Sequence, residues 1–305
     1  MTMDNKNIKD FKSALAFLTA FPIQDSKPSP DALNWFPVVG MLAGGAEGLI
    51  YNASKRFFSK QIASIITVLA DILITSGMHL DGLADTADGL FAHAPLKSRL
   101  EIMKAPDIGT YGQAAIFIAL ATKTAVLSED KTDIFDLMLA MASSRELAHL
   151  VIKKYNYVRE HGLVEVLINP ENHPEAVSET IPVAPDPALV KEEVENHKST
   201  SEVSGVLSSL SLFVLALVIL VFRKSGRIIF LRSCLSALVA LVASYGLLRH
   251  GKSKIGGYTG DILGASITLY EIVYLLVNNL YNTDKKSNSR NRLSRVLLPG
   301  AVGEK

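Results

Sequence analysis

Residues 205–222 read GVLSSLSLFVLALVILVF and carry no charge. A helix crosses the hydrocarbon core of a bilayer with about 20 mostly apolar residues, so a run of this kind strongly limits where the chain can sit. Similar stretches lie near 34–52, 61–80, 109–127, 133–152, 228–249 and 262–281. Hydrophobic residues make up 49% of the chain and charged residues only 20%, and the charges crowd between the apolar runs. A disordered polyelectrolyte, a collagen-like fibre and a disulfide-stapled module are excluded. The expected fold is all-α: a polytopic integral membrane bundle of about six or seven transmembrane helices, forming one catalytic domain over residues 1–305 with the lipid bilayer as a partner.

The formal net charge of +1 provides no field for attracting nucleic acid, so no nucleic-acid partner is expected. The one cysteine, Cys234, lies in an apolar run and is read as a packing residue. The amino terminus lacks the long apolar stretch and cleavage site of a secretory signal. Residues Phe11–Phe21 instead suggest an interfacial helix beside Lys9 and Lys12. Residues 164–204 form an acidic, Pro-rich polar insertion, and 282–305 a basic tail that would prefer the cytoplasm. Basic residues fall on both sides of any strict seven-span count, which leaves orientation and an even or odd span number open. Under that count four crossings separate segments 81–108 and 250–261, so both emerge on one face.

That face carries the chemistry. His79-Leu80-Asp81-Gly82-Leu83-Ala84-Asp85-Thr86-Ala87-Asp88-Gly89 spaces Asp81, Asp85 and Asp88 at i, i+4 and i+7. At about 100° per residue the three fall within roughly 60° of one another on a helix. Like charges this close repel, and a hard divalent cation such as Mg²⁺ would offset the repulsion while sharing a substrate phosphate. The competing reading is a solvated helix start with acids near the positive dipole end. Gly82 and Gly89 weigh against it, because a surface helix favours better helix formers.

A basic cluster follows, with Lys97, Arg99 and Lys104 ahead of Asp107-Ile108-Gly109-Thr110-Tyr111-Gly112. Arg99 and Lys104 are suited to neutralising a phosphoryl group, whereas Lys97 is read as a mark of a cytoplasmic loop. Ile255-Gly256-Gly257-Tyr258-Thr259-Gly260-Asp261 lies on the same face; its glycines permit close ligand approach and Asp261 supplies another hard oxygen donor. Ionisable groups also fall inside the candidate spans. Arg145 is assigned to substrate phosphate, and Glu47 and Glu271 are balanced between functional and structural roles. Asp71, Lys123 and His149 are assigned to structure, and His79 to hydrogen bonding at the helix start.

These motifs resemble the cobalamin synthase, or adenosylcobinamide-GDP ribazoletransferase, family. The resemblance rests on the aspartate motif, on Leu100-Glu101-Ile102-Met103-Lys104, and on Ile108-Gly109-Thr110-Tyr111-Gly112. It extends to Phe17-Leu18-Thr19 with Pro22, to Phe36-Pro37-Val38-Val39-Gly40, and to Arg145. The stretch Tyr157, Arg159 and Gly162-Leu163, then Gly256 to Asp261 with Gly264-Ala265 and Glu271, completes it. Two positions depart from the family pattern: Ala105 stands where an acid usually follows the lysine, and Ala20 where an arginine usually follows Phe-Leu-Thr.

The resemblance implies a multi-pass enzyme of the cell membrane with a cytoplasmic active face, whose partners are adenosylcobinamide-GDP and α-ribazole or its 5′-phosphate. Mg²⁺ would be the cofactor and GMP the leaving product. Asp81, Asp85 and Asp88 are the expected catalytic residues and, with Asp261, the expected metal ligands. Arg99, Lys104, Arg145, Arg159, Gly257, Thr259 and Gly260 are the expected substrate contacts. An oligomer is compatible with everything in the sequence. A CDP-alcohol phosphotransferase is the nearest alternative, but Asp81-Gly82-Leu83-Ala84-Asp85 lacks that family's Ala-Arg pair. A transporter would call for related halves with mid-membrane charges.

Overall fold

Short polar side chains set the starts of two long helices. Ser59 Oγ accepts the Ile62 N–H at 3.4 Å. Asp133 builds a capping box: its Oδ1 accepts from the amides of Phe135 and Asp136 while Asp136 Oδ2 accepts from the Asp133 amide. The structure, a computed structural model, describes residues 5–23, 26–155, 157–158, 162–172 and 226–280. Ten α-helices lie among them: α1 Asn5–Leu18, α2 Phe36–Ser54, α3 Lys60–Ile74, α4 Met78–Phe91, α5 Leu96–Ile102, α6 Thr110–Ser128, α7 Ile134–Lys154, α8 Leu163–Ile168, α9 Gly226–Ile255 and α10 Gly260–Leu280. Among the described residues there is no strand, only an isolated bridge between Tyr157 and Tyr258. The all-α membrane bundle expected from the sequence is the fold observed.

The bundle buries polar groups within an apolar core and is apolar on its outer flanks. Glu47, Ser144, His149 and Asn278 are fully buried, whereas Phe117, Leu49, Leu73 and Val242 stand well exposed on helix flanks. In water such flanks would invite association; against lipid they are the favourable surface. Cys234, expected to pack inside, also faces outward on α9.

Helices long and apolar enough to cross a membrane are fewer than the candidate runs. Among the described residues, two qualify alone, Leu231–Ile255 and Gly260–Leu280, and the pair α3 and α4 makes a third if taken together. The other long helices, α2, α6 and α7, are diluted by glycine, hydroxyl and charged residues, which they present to neighbouring helices: Gly40 and Gly44 to α7, Lys123 to α2 and α3, and Arg145 to α10. The candidate at 206–222, most of the acidic insertion and the basic tail lie outside the described residues. The insertion's first residues are helical, with α8 burying Val164 and Leu167. At the other end of the chain, α1 begins earlier than the interfacial helix expected at Phe11–Phe21 and packs Phe11 edge-on against Trp35.

Two backbone features position the site. The candidate span at 61–80 is broken: α3 and α4 meet at 88°. Ser76 and Gly77 between them adopt φ of 54° and 67°, the left-handed region in which glycine is at ease and serine is strained. The second feature is a stripe of Gly40, Gly44 and Gly48 along α2. A Cβ at Gly40 would stand 2.4 Å from the Met141 carbonyl oxygen, at Gly44 2.5 Å from that of Leu137, and at Gly48 2.5 Å from Ile134 Cγ1. Spacing of four residues puts all three on one face, so α2 and α7 pack backbone to backbone.

At the end of the bundle away from the α9–α10 turn, Asp130 receives Lys55 Nζ at 2.6 Å and Lys60 Nζ at 3.0 Å. Partial burial pushes its carboxyl upward, but the hydrogen bonds from the two lysines outweigh that and hold it below the usual aspartate range.

Gly44→Ala is expected to lower the thermal unfolding midpoint, with a cost of about 1–3 kcal/mol for forcing the helices apart. Gly45→Ala, whose Cβ would meet only the Met138 side chain at 3.7 Å, should leave the midpoint unchanged or raise it. Thermal melts of the two variants in detergent read the contrast. For Asp130, a depressed folded pKa means its stabilisation is complete above about pH 4 and fades as pH falls through the folded value. The difference in midpoint between wild type and Asp130→Asn should therefore stay constant from about pH 7 to pH 5 and close below about pH 4.

Candidate active site

The aspartate motif forms a helix as its spacing predicts, entirely within α4. Asp81 is exposed, and Asp85 and Asp88 are half-buried. The two glycines of the motif are contact points. A Cβ at Gly82 would lie 2.8 Å from the Asp261 carbonyl oxygen, and one at Gly89 2.3 Å from Met103 Cγ. One helix pitch away, Gly264 faces the Met78–His79 backbone, and Thr268 Oγ1 donates to the His79 carbonyl at 3.2 Å. α4 therefore lies against the first turns of α10, and Asp261 stands beside the start of the carboxylate stripe. The two segments expected on one face are on one face.

The loop before α10 is held from both sides. Gly256 adopts φ of 84°. Thr259 is fully buried and its hydroxyl accepts the Ile262 N–H at 3.3 Å, capping α10 from the position in which a substrate contact is expected. Val158 donates its N–H to the Tyr258 carbonyl at 3.0 Å, and the Tyr157 and Tyr258 rings meet edge-on at 5.4 Å. Gly257 is buried in this loop and Gly260 is half-buried, facing the Tyr157 hydroxyl. Arg159 lies outside the described residues.

Three of the expected site residues are engaged differently from their sequence reading. Asp88 turns its carboxylate to the start of α6, accepting the Gly109 N–H at 2.7 Å and the Gly112 N–H at 2.9 Å. Arg99 is buried and donates to the carbonyls of Gly89 at 2.8 Å and Leu90 at 2.7 Å, closing the carboxyl end of α4. Arg145, only 2% exposed, is ion-paired with Glu271, and Ser144 donates to the same carboxylate at 3.1 Å. Lys104 remains exposed on the loop before α6.

A second buried ionic group joins the helices behind the site. Lys123 of α6 reaches Asp71 of α3 at 2.6 Å and Glu47 of α2 at 3.0 Å. Asp71, Lys123, His79, Thr268 and Glu271, together with Leu80, Leu120 and Ile272, line a small cavity below the start of α4, and the buried His79 Nε2 has no hydrogen-bond partner. Among the described residues, no three His, Cys, Asp or Glu side chains are grouped closely enough to hold a metal ion by themselves. Mg²⁺ does not demand such a cage: it commonly takes one or two carboxylates and completes its shell with water and phosphate oxygens. Asp81 in the first turn of α4 and Asp261 in the first turn of α10 are donors of that type, and Asp85 stands one turn further along α4.

The sequence profile of the family described as cobalamin-5-phosphate synthase matches residues 10–278. The chain belongs to the cobalamin-5-phosphate synthase family. It is 30% identical over 279 residues to an adenosylcobinamide-GDP ribazoletransferase of Escherichia coli O17:K52:H18, covering 88% of this chain and 98% of the relative. Relatives of the same name in Escherichia coli K12 and Citrobacter koseri are 29% identical over the same shares. No solved structure matches the chain. Membership in the cobalamin-5-phosphate synthase family makes the chain a membrane transferase of cobalamin biosynthesis.

Two features that hold this family member's site together differ in how far spacing reveals them. The Gly40, Gly44 and Gly48 stripe is one that a search for small residues four apart would find. The Lys123–Asp71–Glu47 group is legible only as three separate intramembrane charges, because its members come from three helices. Lys123→Met leaves both carboxylates buried without their cation, which costs about 3–5 kcal/mol. Thermal unfolding should show that loss, and adding Glu47→Gln to the same variant should recover part of it.

Proposed function

We propose that the chain transfers the adenosylcobinamide phosphate moiety of adenosylcobinamide-GDP to a ribose hydroxyl of α-ribazole or α-ribazole 5′-phosphate; in the latter the 5′ oxygen already carries phosphate, so the attacking group is one of the ring hydroxyls. The nucleoside oxygen attacks the phosphorus nearest cobinamide, the bond from that phosphorus to the bridging oxygen breaks, and GMP leaves with the electron pair. The product is adenosylcobalamin or its 5′-phosphate. The observation that carries this reading is the apposition of the carboxylate helix α4 to Asp261 at the start of α10, in a chain whose family and full-length relatives bear the names given above.

Asp81, Asp85 and Asp261 are the residues that would hold Mg²⁺. Bound there, the ion would neutralise charge on the pyrophosphate oxygens and stabilise the GMP leaving group. Asp81 faces solvent and Asp85 is half-buried, so a carboxylate oxygen at this rim is available to take the proton of the attacking hydroxyl. Lys104, exposed on the adjoining loop, contributes positive charge to the donor's phosphates. The glycine loop, with Gly257 buried and Gly260 against Val164 and the Tyr157 hydroxyl, would set the position of Asp261 beside the substrate. Arg145 supports α10 through Glu271, the position from which Asp261 is presented.

The active face belongs on the cytoplasmic side of the cell membrane, where nucleotides are at hand. The basic tail, which follows the end of α10 opposite Asp261, favours the other orientation, whereas Lys97, Lys104, Lys252 and Lys254 put basic charge on the active face itself.

Purified protein in nanodiscs, supplied with adenosylcobinamide-GDP, α-ribazole and Mg²⁺, should release GMP and form the joined corrinoid. Chelating the metal should stop the reaction, and returning Mg²⁺ should restore it. Asp85→Asn is expected to reduce turnover by at least about 10²–10³-fold, the effect typical of removing one strong electrostatic contribution to the transition state. Full activity in that variant, with folding intact, rules out the carboxylate site.

A further inference from the structure

We infer that Asp88 is a positioning residue: it caps α6 from another helix and so fixes the Lys104-bearing loop against the aspartate helix. The inference rests on the transferase reading only for what the loop does to substrate.

The first amides of a helix have no partner within it, and a capping side chain normally supplies one. The N-cap position of α6 is Gly109, which has no side chain to offer. Asp88 performs that task from α4. Its two oxygens take different amides, Oδ2 that of Gly109 at 2.7 Å and Oδ1 that of Gly112 at 2.9 Å. An anion at this end also meets the positive pole of a helix that runs on to Ser128.

The glycines are the counterpart of the carboxylate. A Cβ at Gly109 would come within 2.5 Å of Asp88 Oδ1, and one at Gly112 within 2.4 Å of Oδ2. Either would push the carboxylate off the helix end. The same helix turn of α4 is fastened on its other side, where Arg99 bonds the carbonyls of Gly89 and Leu90 and Met103 packs on Gly89. Between these two fastenings runs the segment 103–109, which carries Lys104. Its ends are thus fixed to α4 at Gly89 and at Asp88. Both oxygens of Asp88 take part in this clamp.

The test compares Asp88→Asn with Asp85→Asn and adds Gly112→Ala, which changes no potential ligand. In nanodiscs, hydrogen–deuterium exchange of the peptide spanning Gly109 to Gln113 should quicken by about tenfold or more in Asp88→Asn and in Gly112→Ala, matching the loss of a charge-assisted hydrogen bond. Asp85→Asn should leave that exchange unchanged. Mn²⁺ binding in the presence of GDP, followed by electron paramagnetic resonance, should weaken in Asp85→Asn and stay within about twofold of wild type in the other two. In the transferase assay, Asp88→Asn and Gly112→Ala should raise KM for adenosylcobinamide-GDP while the Mg²⁺ concentration giving half-maximal rate stays put. Unchanged exchange at 109–113 in Asp88→Asn, or a loss of Mn²⁺ affinity equal to that of Asp85→Asn, overturns the inference. If the wild-type protein transfers nothing, the proposed reaction fails, while the exchange and Mn²⁺ measurements still decide the role of Asp88.

Discussion

The site depends on how closely α4 can approach α10. Two glycines, Gly82 on one helix and Gly264 on the other, remove the side chains that would keep the backbones apart. Their contacts place the start of the carboxylate stripe next to Asp261, although the residues are far apart in sequence. The left-handed turn at Ser76 and Gly77 makes this possible by ending α3 and redirecting the chain through nearly a right angle. A straight continuation of α3 would carry the aspartates along the α3 axis instead of against α10. The backbone strain at Ser76 is small beside the burial and hydrogen bonding gained where Thr268 meets the His79 carbonyl.

Inside the bundle, charge is balanced locally. Glu47 and Asp71 share Lys123, Glu271 holds Arg145, and Asp136 holds Arg232 at 3.0 Å. Each pair joins different helices, so the ionic groups do in this apolar setting what interdigitated side chains do in a soluble core. Their net worth against well-packed apolar residues is small, but breaking any one of them is costly. That asymmetry favours a unique arrangement of helices over a merely cohesive one. The Gly40, Gly44 and Gly48 stripe supplies the complementary part, close backbone packing that lipid cannot replace.

The local features were legible because helix periodicity is local. Asp81, Asp85 and Asp88 at i, i+4 and i+7 had to share a face once α4 formed, and counting crossings was enough to put Asp261 on the same side. What each side chain meets was not legible, because that depends on helices distant in sequence. Asp88 shares its stripe with two other acids, yet the start of α6 stands opposite it and takes its carboxylate. Arg99 and Thr259 look like substrate contacts by type and place, and both cap helices. Span counting overreached for a related reason: α2, α6 and α7 carry polar residues that meet neighbouring helices, so their hydropathy reflects bundle packing as well as lipid.

The pairing inside the bundle also limits where the charge of a pyrophosphate can be met. An incoming phosphate that took Arg145 would strip Glu271 of its cation and leave a buried carboxylate behind, at a cost of several kcal/mol. Arg99 has its guanidinium on the carbonyls of Gly89 and Leu90 and could leave them only by loosening the end of α4. In the proposed reaction the anionic donor is therefore met at the rim, by a cation bound between the α4 carboxylates and Asp261 and by exposed basic residues such as Lys104. A site arranged this way keeps the helices' internal electrostatics unchanged as substrate comes and goes. The divalent-ion dependence proposed for this reaction would follow from the same economy, because Lys123, Arg145 and Arg99 are already committed to holding the helices together.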